Sequence, residues 1–205
     1  MTDVVVATRN AKKRLEIVDL LSRFPELRVL SLADFPDAPE VEETGATFAE
    51  NAALKASTVA RALGRWTIGE DSGLTVDALG GAPGVYSARY SGPGADDDAN
   101  NAKLLRELAG VPDPRRTACY VCSAALADPT GAIRLTEEAR CRGMIIHEPR
   151  GTNGFGYDPY FLVREYHQTF GELPLVVKQQ ISHRARALER FLPAVVRLLS
   201  DVAAG

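Results

Sequence analysis

The stretch Val4-Val5-Val6-Ala7-Thr8-Arg9-Asn10-Ala11-Lys12-Lys13 sets the reading of the whole chain. Its four leading apolar residues form a short strand of the buried type. Asn10 then offers the short polar side chain of a helix N-cap. Ile17, Leu20, Leu21 and Phe24 recur at i, i+3, i+4 and i+7, the spacing of one helical face. Pro25 is read as the stop of that helix, and Val29 to Leu32 as a second strand. Strands mixed with helices continue along the chain, which predicts an α/β protein with a mixed sheet.

Working outward, Asp34 to Gly45 is rich in proline and acid and reads as a loop. Thr47-x-x-Glu50 is a capping box. It opens a helix whose apolar face is Ala52, Ala56, Val59, Ala60 and Leu63, and Gly64 is placed to end it. Thr67 to Gly69 and Leu74 to Leu79 read as strand pieces around a tight turn at Glu70-Asp71-Ser72-Gly73. A Gly80 to Gly84 loop, a helix over 98–108 and two or three strands between Arg116 and Ile146 follow. Gly151 to Asp158 is a glycine loop feeding a strand at Tyr160 to Val163. The last helix starts near Ser182 and carries Pro193 inside it, a predicted kink.

The bulk properties exclude several classes. The 205 residues include 24 Lys and Arg against 27 Asp and Glu, for a net charge of −3. A chain built mainly to coat DNA or anionic lipid is expected to be strongly basic. No apolar run approaches the ~20 residues of a membrane helix. Met1-Thr2-Asp3 leads straight into the first strand, without the basic and apolar regions of a signal peptide, so a cytoplasmic protein is expected. Cys119 and Cys122 are spaced as C-x2-C, with Cys141 further on. Residues three apart on a strand face opposite ways, and no second pair follows, so free buried thiols are expected rather than a zinc site.

Four loop clusters carry possible chemistry. Thr8 to Lys13 joins a strand end to a helix start. Free N–H groups, the positive end of the helix dipole and basic side chains suit phosphate there, with a solvated helix start as the competing reading. Glu40, Glu42, Glu43, Glu70 and Asp71 are carboxylates able to hold Mg²⁺, although Glu40 to Glu43 taken alone read as a solvated acidic loop; Asp71, flanked by apolar strand pieces, is expected to be buried with a metal or a cation. Gly151-Thr152-Asn153-Gly154-Phe155-Gly156-Tyr157-Asp158-Pro159 combines close backbone approach with two aromatics able to stack on a flat ring, or on each other. Lys178 and Ile181-Ser182-His183-Arg184 place two cations in a helix's first turn, against its dipole, where an anionic or carbonyl partner would explain them.

Taken in order, these motifs resemble one family. They are Thr8-Arg9-Asn10-x-x-Lys13, the run from Glu42-Glu43-Thr44-Gly45 to Lys55-Ala56, Asp71-Ser72-Gly73-Leu74, Gly80 to Tyr90, Phe155-Gly156-Tyr157-Asp158-Pro159 and Ile181-Ser182-His183-Arg184. Across about residues 4 to 199 the chain is similar to the inosine triphosphate pyrophosphatase family, which acts on dITP, ITP and XTP. The resemblance implies an elongated mixed β-sheet flanked by helices, with two lobes and a central substrate cleft, in a single domain over 1–205. It implies a homodimer, dependence on Mg²⁺, and hydrolysis of a nucleoside triphosphate to monophosphate and pyrophosphate, with neither nucleic acid nor membrane as partner.

Residue by residue, it implies that Thr8, Arg9, Asn10, Ala11, Lys12 and Lys13 form the triphosphate loop and that Lys55 reaches the same phosphates. It makes Asp71 the general base and a metal ligand, Glu42 (with Glu43 beside it) the second ligand, and Ser72 a substrate contact. Phe155, Gly156, Tyr157, Asp158, Lys178, His183 and Arg184 become the nucleoside pocket, in which Arg184, His183 or Lys178 donates to a purine 6-oxo group. Three positions depart from the family: Arg9 replaces a frequent glycine, Glu70 a frequent aspartate, and Leu175-Val176-Val177 a more polar stretch. The rival readings are a pyrophosphatase of other modified nucleotides and a non-catalytic nucleotide sensor.

Overall fold

The computed structural model describes residues 2–204, so Met1 and Gly205 of the expected 1–205 domain lie outside the described residues. Seven strands form one mixed sheet in the order β2-β1-β3-β4-β5-β6-β7. They are β1 (Thr2–Val6), β2 (Leu27–Ser31), β3 (Thr67–Val76), β4 (Thr117–Ala127), β5 (Ile133–Ile145), β6 (Phe161–Val163) and β7 (Gln168–Thr169). The helices are α1 (Ala11–Leu21), α2 (Phe48–Leu63), α3 (Asp97–Glu107), α4 (Leu175–Ile181) and α5 (His183–Ala204). β1 is parallel to β2 and to β3, while β5-β6 and β6-β7 are antiparallel. The sheet is therefore mixed, as the sequence predicts.

The chain divides into two compact units. The first takes residues 2–71, 122–139 and 184–204; the second takes 72–121 and 140–183. In the first unit β1 is covered on both faces, because successive strand side chains alternate. Val4 and Val6 join Ile17, Leu20 and Leu21 of α1 and Leu188, Phe191, Leu192 and Val195 of α5 in one core. Val5 and Ala7 join Val59 of α2 and Leu32 in another. A strand buried on both faces has no place for alternating polar residues, hence the unbroken apolar run. In the second unit Leu74, Val76, Leu104, Leu108, Tyr120, Phe161 and Phe170 build the core. The ring centroids of Phe161 lie 4.6 Å from Tyr120 and 5.3 Å from Phe170.

Local signals decide most boundaries. Asn10 caps α1 by accepting from the Lys13 amide, and both halves of the Thr47–Glu50 capping box are made. Gly64 closes α2 in the left-handed region, at φ 61°. Four expectations are corrected. Helix α1 stops at Leu21 with Ser22 as its cap, short of Pro25, and Phe24 still packs on the core from beyond the helix. The second strand starts earlier, at Leu27, and Leu32 begins a 3₁₀ turn. A helix, α4, stands before Ser182 where none was expected. Above all, Glu70 to Gly73 is no turn: β3 runs unbroken from Thr67 to Val76. Turn-like composition is overridden there because Glu70 and Asp71 find buried ionic partners, described below. Gly69 serves the same strand. A Cβ there would lie 2.2 Å from the Ala52 carbonyl oxygen, so only glycine lets α2 approach β3 this closely.

Candidate active site

In the first unit the polar residues converge on Asp71. Strand β3 buries its carboxylate to 4% exposure. The Lys55 ammonium, from α2, donates to Oδ1 at 2.9 Å, and the Asn51 amide nitrogen donates to Oδ2 at 3.2 Å. Asn51 and Lys55 are four apart, so one face of α2 presents both. Lys55 also pairs with Glu43 at 2.6 Å and donates to the Glu70 carbonyl. Burial pushes the Asp71 carboxyl above its ordinary range, with Lys13 and Lys55 opposing that rise. Burial lowers the Lys55 pKa, but Asp71 and Glu43 more than offset this and hold the ammonium charged.

A second layer of ion pairs lies next to the first. Glu70, with no exposed side-chain surface, pairs with Lys13 at 3.2 Å and with Arg184 of α5 at 3.2 Å. Arg184 also pairs with Glu16 of α1. The anionic partner that the Arg184 position called for is thus supplied by the protein itself. Glu16 and Glu70 engage its guanidinium, which is 2% exposed. Thr8 accepts from the Asn10 amide, and Arg9 reaches the Ala38 carbonyl at 2.9 Å. Asn10, Ala11 and Lys12 are exposed at the start of α1.

This network joins three cations, Lys13, Lys55 and Arg184, to four carboxylates, Glu16, Glu43, Glu70 and Asp71. A phosphate-bearing anion approaching these carboxylates would need further positive charge. Mg²⁺ binds through one or two carboxylates plus substrate phosphates and water. Asp71 with Glu42, which is exposed, or Glu43 fits that donor set. Among the described residues no three His, Cys, Asp or Glu side chains are grouped for a metal, and a cation completed by phosphate does not require three.

In the second unit a different cluster forms around Asp158. Lys178 of α4 pairs with it at 2.7 Å, both side chains buried. The same carboxylate accepts from the Phe155 amide at 2.8 Å, which folds the glycine loop onto it. Gly154 is required there: its φ is +76°, and a Cβ would sit 2.0 Å from Asp158 Oδ2. The Lys178 ammonium lies 4.8 Å from the Phe155 ring centroid and 5.8 Å from that of Phe170. His183, in the first turn of α5, stacks on Tyr120 with centroids 4.7 Å apart and planes within 8°. Tyr157 donates its hydroxyl to the Ser87 carbonyl, and the Asn101 amide donates to the Gly156 carbonyl. Ser72 is half-buried, one residue after Asp71.

The candidate residues thus fall in two groups: Thr8 to Lys13, Lys55, Asp71 and Arg184 in one unit, and Ser72, Phe155 to Asp158, Lys178 and His183 in the other. Asn51, Glu16 and Tyr120 carry no role in the sequence reading. The first two were findable, since Asn51 shares the face of Lys55 and Glu16 stands three residues after Lys13 on α1. Nothing local marks Tyr120 as the partner of His183. Cys119, Cys122 and Cys141 are buried and form no disulfide among the described residues, as expected. No helix among the described residues is long and apolar enough to cross a membrane.

An α/β chain with a lysine-paired buried aspartate and, at the start of α1, a helix N-terminus is of a kind suited to binding phosphate. The particular family follows from comparison: the Ham1 family model matches residues 4–194, and the chain belongs to that family. The dITP/XTP pyrophosphatase of Rhodopirellula baltica is 53% identical over 203 residues, 98% of this chain and 96% of that one. The enzyme of the same name from Geobacter sulfurreducens is 56% identical over 188 residues, 92% and 94% of the two chains. Among solved structures, a HAM1 protein from Coxiella burnetii superposes with a TM-score of 0.87 at 39% identity, covering 98% of this chain and 100% of that one. A nucleoside-triphosphatase, dITP/XTP pyrophosphatase, from Mycobacterium abscessus gives 0.76 at 44% identity, covering 94% and 99%. The resemblance read from the motifs is thereby borne out.

Proposed function

We propose that the chain hydrolyses non-standard purine nucleoside triphosphates, dITP, ITP and XTP, to the monophosphate and pyrophosphate. The observation that carries this reading is the buried Asp71 carboxylate, oriented by Asn51 and Lys55 beside the Lys13 end of the α1 loop. The reading agrees with the name that the relatives carry, dITP/XTP pyrophosphatase.

In this reading Lys13, Lys55 and the N-terminus of α1 offset the triphosphate charge. Lys55 and Asn51 fix both Asp71 oxygens, so the carboxylate has one orientation from which to align a water and take its proton. A pKa raised by burial brings Asp71 nearer to neutrality and makes it a stronger base than an exposed aspartate. A divalent cation, Mg²⁺ in this proposal, would be held by Asp71 with Glu42 or Glu43 and would supply charge neutralisation on the phosphates and on the leaving pyrophosphate. Lys178 and His183 are the donors for a 6-oxo purine, and Phe155 is the ring for the base to stack on. The donors favour an acceptor at that position and oppose the 6-amino group of adenine. The same proposal takes the chain as one functional domain and the working form to be a cytoplasmic homodimer.

The test is turnover of ITP, XTP, dITP and ATP in Mg²⁺, run in water enriched in ¹⁸O. Attack at the α-phosphorus labels the nucleoside monophosphate. Label in free phosphate, or equal rates for ITP and ATP, would reject the reading.

A further inference from the structure

Glu70 and Asp71 are consecutive in β3, so their side chains leave opposite faces of the strand. Asp71 meets Asn51 and Lys55 from α2. Glu70 meets Lys13 from α1, Cys122 from β4 and Arg184 from α5. A carboxylate with no exposed surface is costly to desolvate unless its partners are well placed, and replacing a whole buried ion-pair cluster by well-packed apolar side chains is often neutral or stabilising. Packing alone therefore gives no reason for the Lys13–Glu70–Arg184 cluster to be ionic.

We propose that Glu70 is a positioning residue for the reaction: its carboxylate, fixed by Arg184, holds the Lys13 ammonium where that ammonium meets the triphosphate. This rests on the reading of Lys13 as a phosphate ligand. The geometry has two halves. Oε1 accepts from Arg184 Nε and Nη2 at 3.3 and 3.2 Å and from the Cys122 thiol at 3.3 Å. Arg184 is itself anchored by Glu16, so the planar guanidinium sets the plane of the carboxylate. Oε2 is then aimed by the same plane, and it lies 3.2 Å from Lys13 Nζ. A lysine is a point charge on a flexible four-carbon stem. Tethering it before substrate arrives removes an ordering cost from the reaction. An ammonium has three protons, so one contact with Glu70 leaves donors for phosphate oxygens. Arg184 thus acts through Glu70 and Lys13.

The role predicts a split that a purely structural one would not produce. Glu70→Gln keeps the shape but frees Lys13 and adds net positive charge. Its kcat for ITP is expected to fall about ten- to a hundredfold, the range for a displaced catalytic group. Inhibition by pyrophosphate should stay the same or tighten. In a Lys13→Ala background, measured by single turnover, the same Glu70→Gln change should cost less than about threefold, because residues acting through one another are not additive. An equal cost in both backgrounds overturns the proposal, and so does weaker pyrophosphate inhibition together with the lower kcat. If Lys13→Ala alone leaves kcat/KM unchanged, the underlying phosphate reading fails, and that failure is visible separately. Should Glu70→Gln be unfolded at assay temperature, Glu70→Asp enters the same cycle. It keeps the charge one methylene short of Lys13, and it must show the same dependence on Lys13 or the proposal falls.

Discussion

Two buried aspartates, each paired with a buried lysine, stand in very different surroundings. Asp71 and Lys55 are 2.9 Å apart, and Asp158 and Lys178 are 2.7 Å apart. Around the first pair everything is polar and shared: Lys55 also serves Glu43, and Asn51 holds the other aspartate oxygen. Around the second pair are rings and turn backbone. Phe155 and Phe170 lie beside Lys178, and Asp158 ties down the amide of its own loop. In the proposed function the first pair holds the reactive carboxylate, while in the second Asp158 fastens a donor lysine. A carboxylate shared among several polar groups can turn to a ligand, while one bedded in rings and turn backbone holds its loop and its lysine in place.

The largest expected effect comes from Asp71→Asn. Turnover of ITP should fall by about 10² to 10⁴, the range for losing a general base. Stability should move the other way. Folding raises the pKa of Asp71, so the native state binds that proton more tightly than the unfolded chain does. Stability therefore falls as pH rises from the unfolded value through the raised native one, and at neutral pH ionised Asp71 is a net cost. Asparagine removes that cost while Lys55 keeps Glu43. Thermal melts at neutral pH should show Tm equal to or above that of the parent, and the difference should vanish in acid below both pKa values. Turnover within about tenfold of the parent would remove Asp71 as base.

Asp158→Ala should reverse the pattern. It leaves the Lys178 ammonium buried beside Phe155 and Phe170, and removing one partner of a buried pair costs about 3–5 kcal/mol. Urea denaturation should record a loss of that order, and residual activity should follow the folded fraction. If the variant unfolds at the parent's urea concentration, Asp158 is no fastening and the contrast with Asp71 collapses.

How far the sequence showed these roles depended on distance along the chain. The cap at Asn10, the Thr47–Glu50 box and the α2 face that carries Lys55 are local patterns with local causes, and all three were legible. Asp71 was legible as a buried carboxylate in want of a cation, because apolar residues flank it. The continuity of β3 was not: Glu-Asp-Ser-Gly is turn chemistry by composition, and only partners from α1, α2, β4 and α5 make it a strand. The Arg184 partners Glu70 and Glu16 are 114 and 168 residues away, beyond any periodicity. Helix α4 escaped because Leu175 and Val176 are exposed, which gives its seven residues no amphipathic signature.

Arg184 tests which of the two clusters its region belongs to. Its guanidinium donates to Glu70 and Glu16, carboxylates of the first cluster, so Arg184→Ala should lower kcat/KM for ITP and ATP alike, by about tenfold or more for a displaced group. The two losses should agree within about threefold, or ~0.6 kcal/mol. A steep fall in the ITP:ATP ratio alone would give Arg184 to the purine and place it functionally with His183.

The smallest effect concerns the ring beside the second pair. Phe155 is half-buried, its face toward the Lys178 ammonium at 4.8 Å, and the proposed function gives it the base to stack on. Phe155→Leu keeps the apolar bulk and the loop amide that Asp158 accepts from, and removes the π face. Ring–cation contacts are worth ~0.5–2 kcal/mol. A loss of about 1 kcal/mol corresponds to about a fivefold rise in KM for ITP. Because the Asp71 cluster is untouched, kcat should stay within about twofold. The Asp158–Lys178 pair also remains, so Tm should move by only a few degrees, ~1 kcal/mol being worth about 2–4 °C at this chain length. A fall in kcat with KM unchanged would mean that the ring serves the reacting phosphates, and the division of labour between the two aspartate–lysine pairs would have to be redrawn.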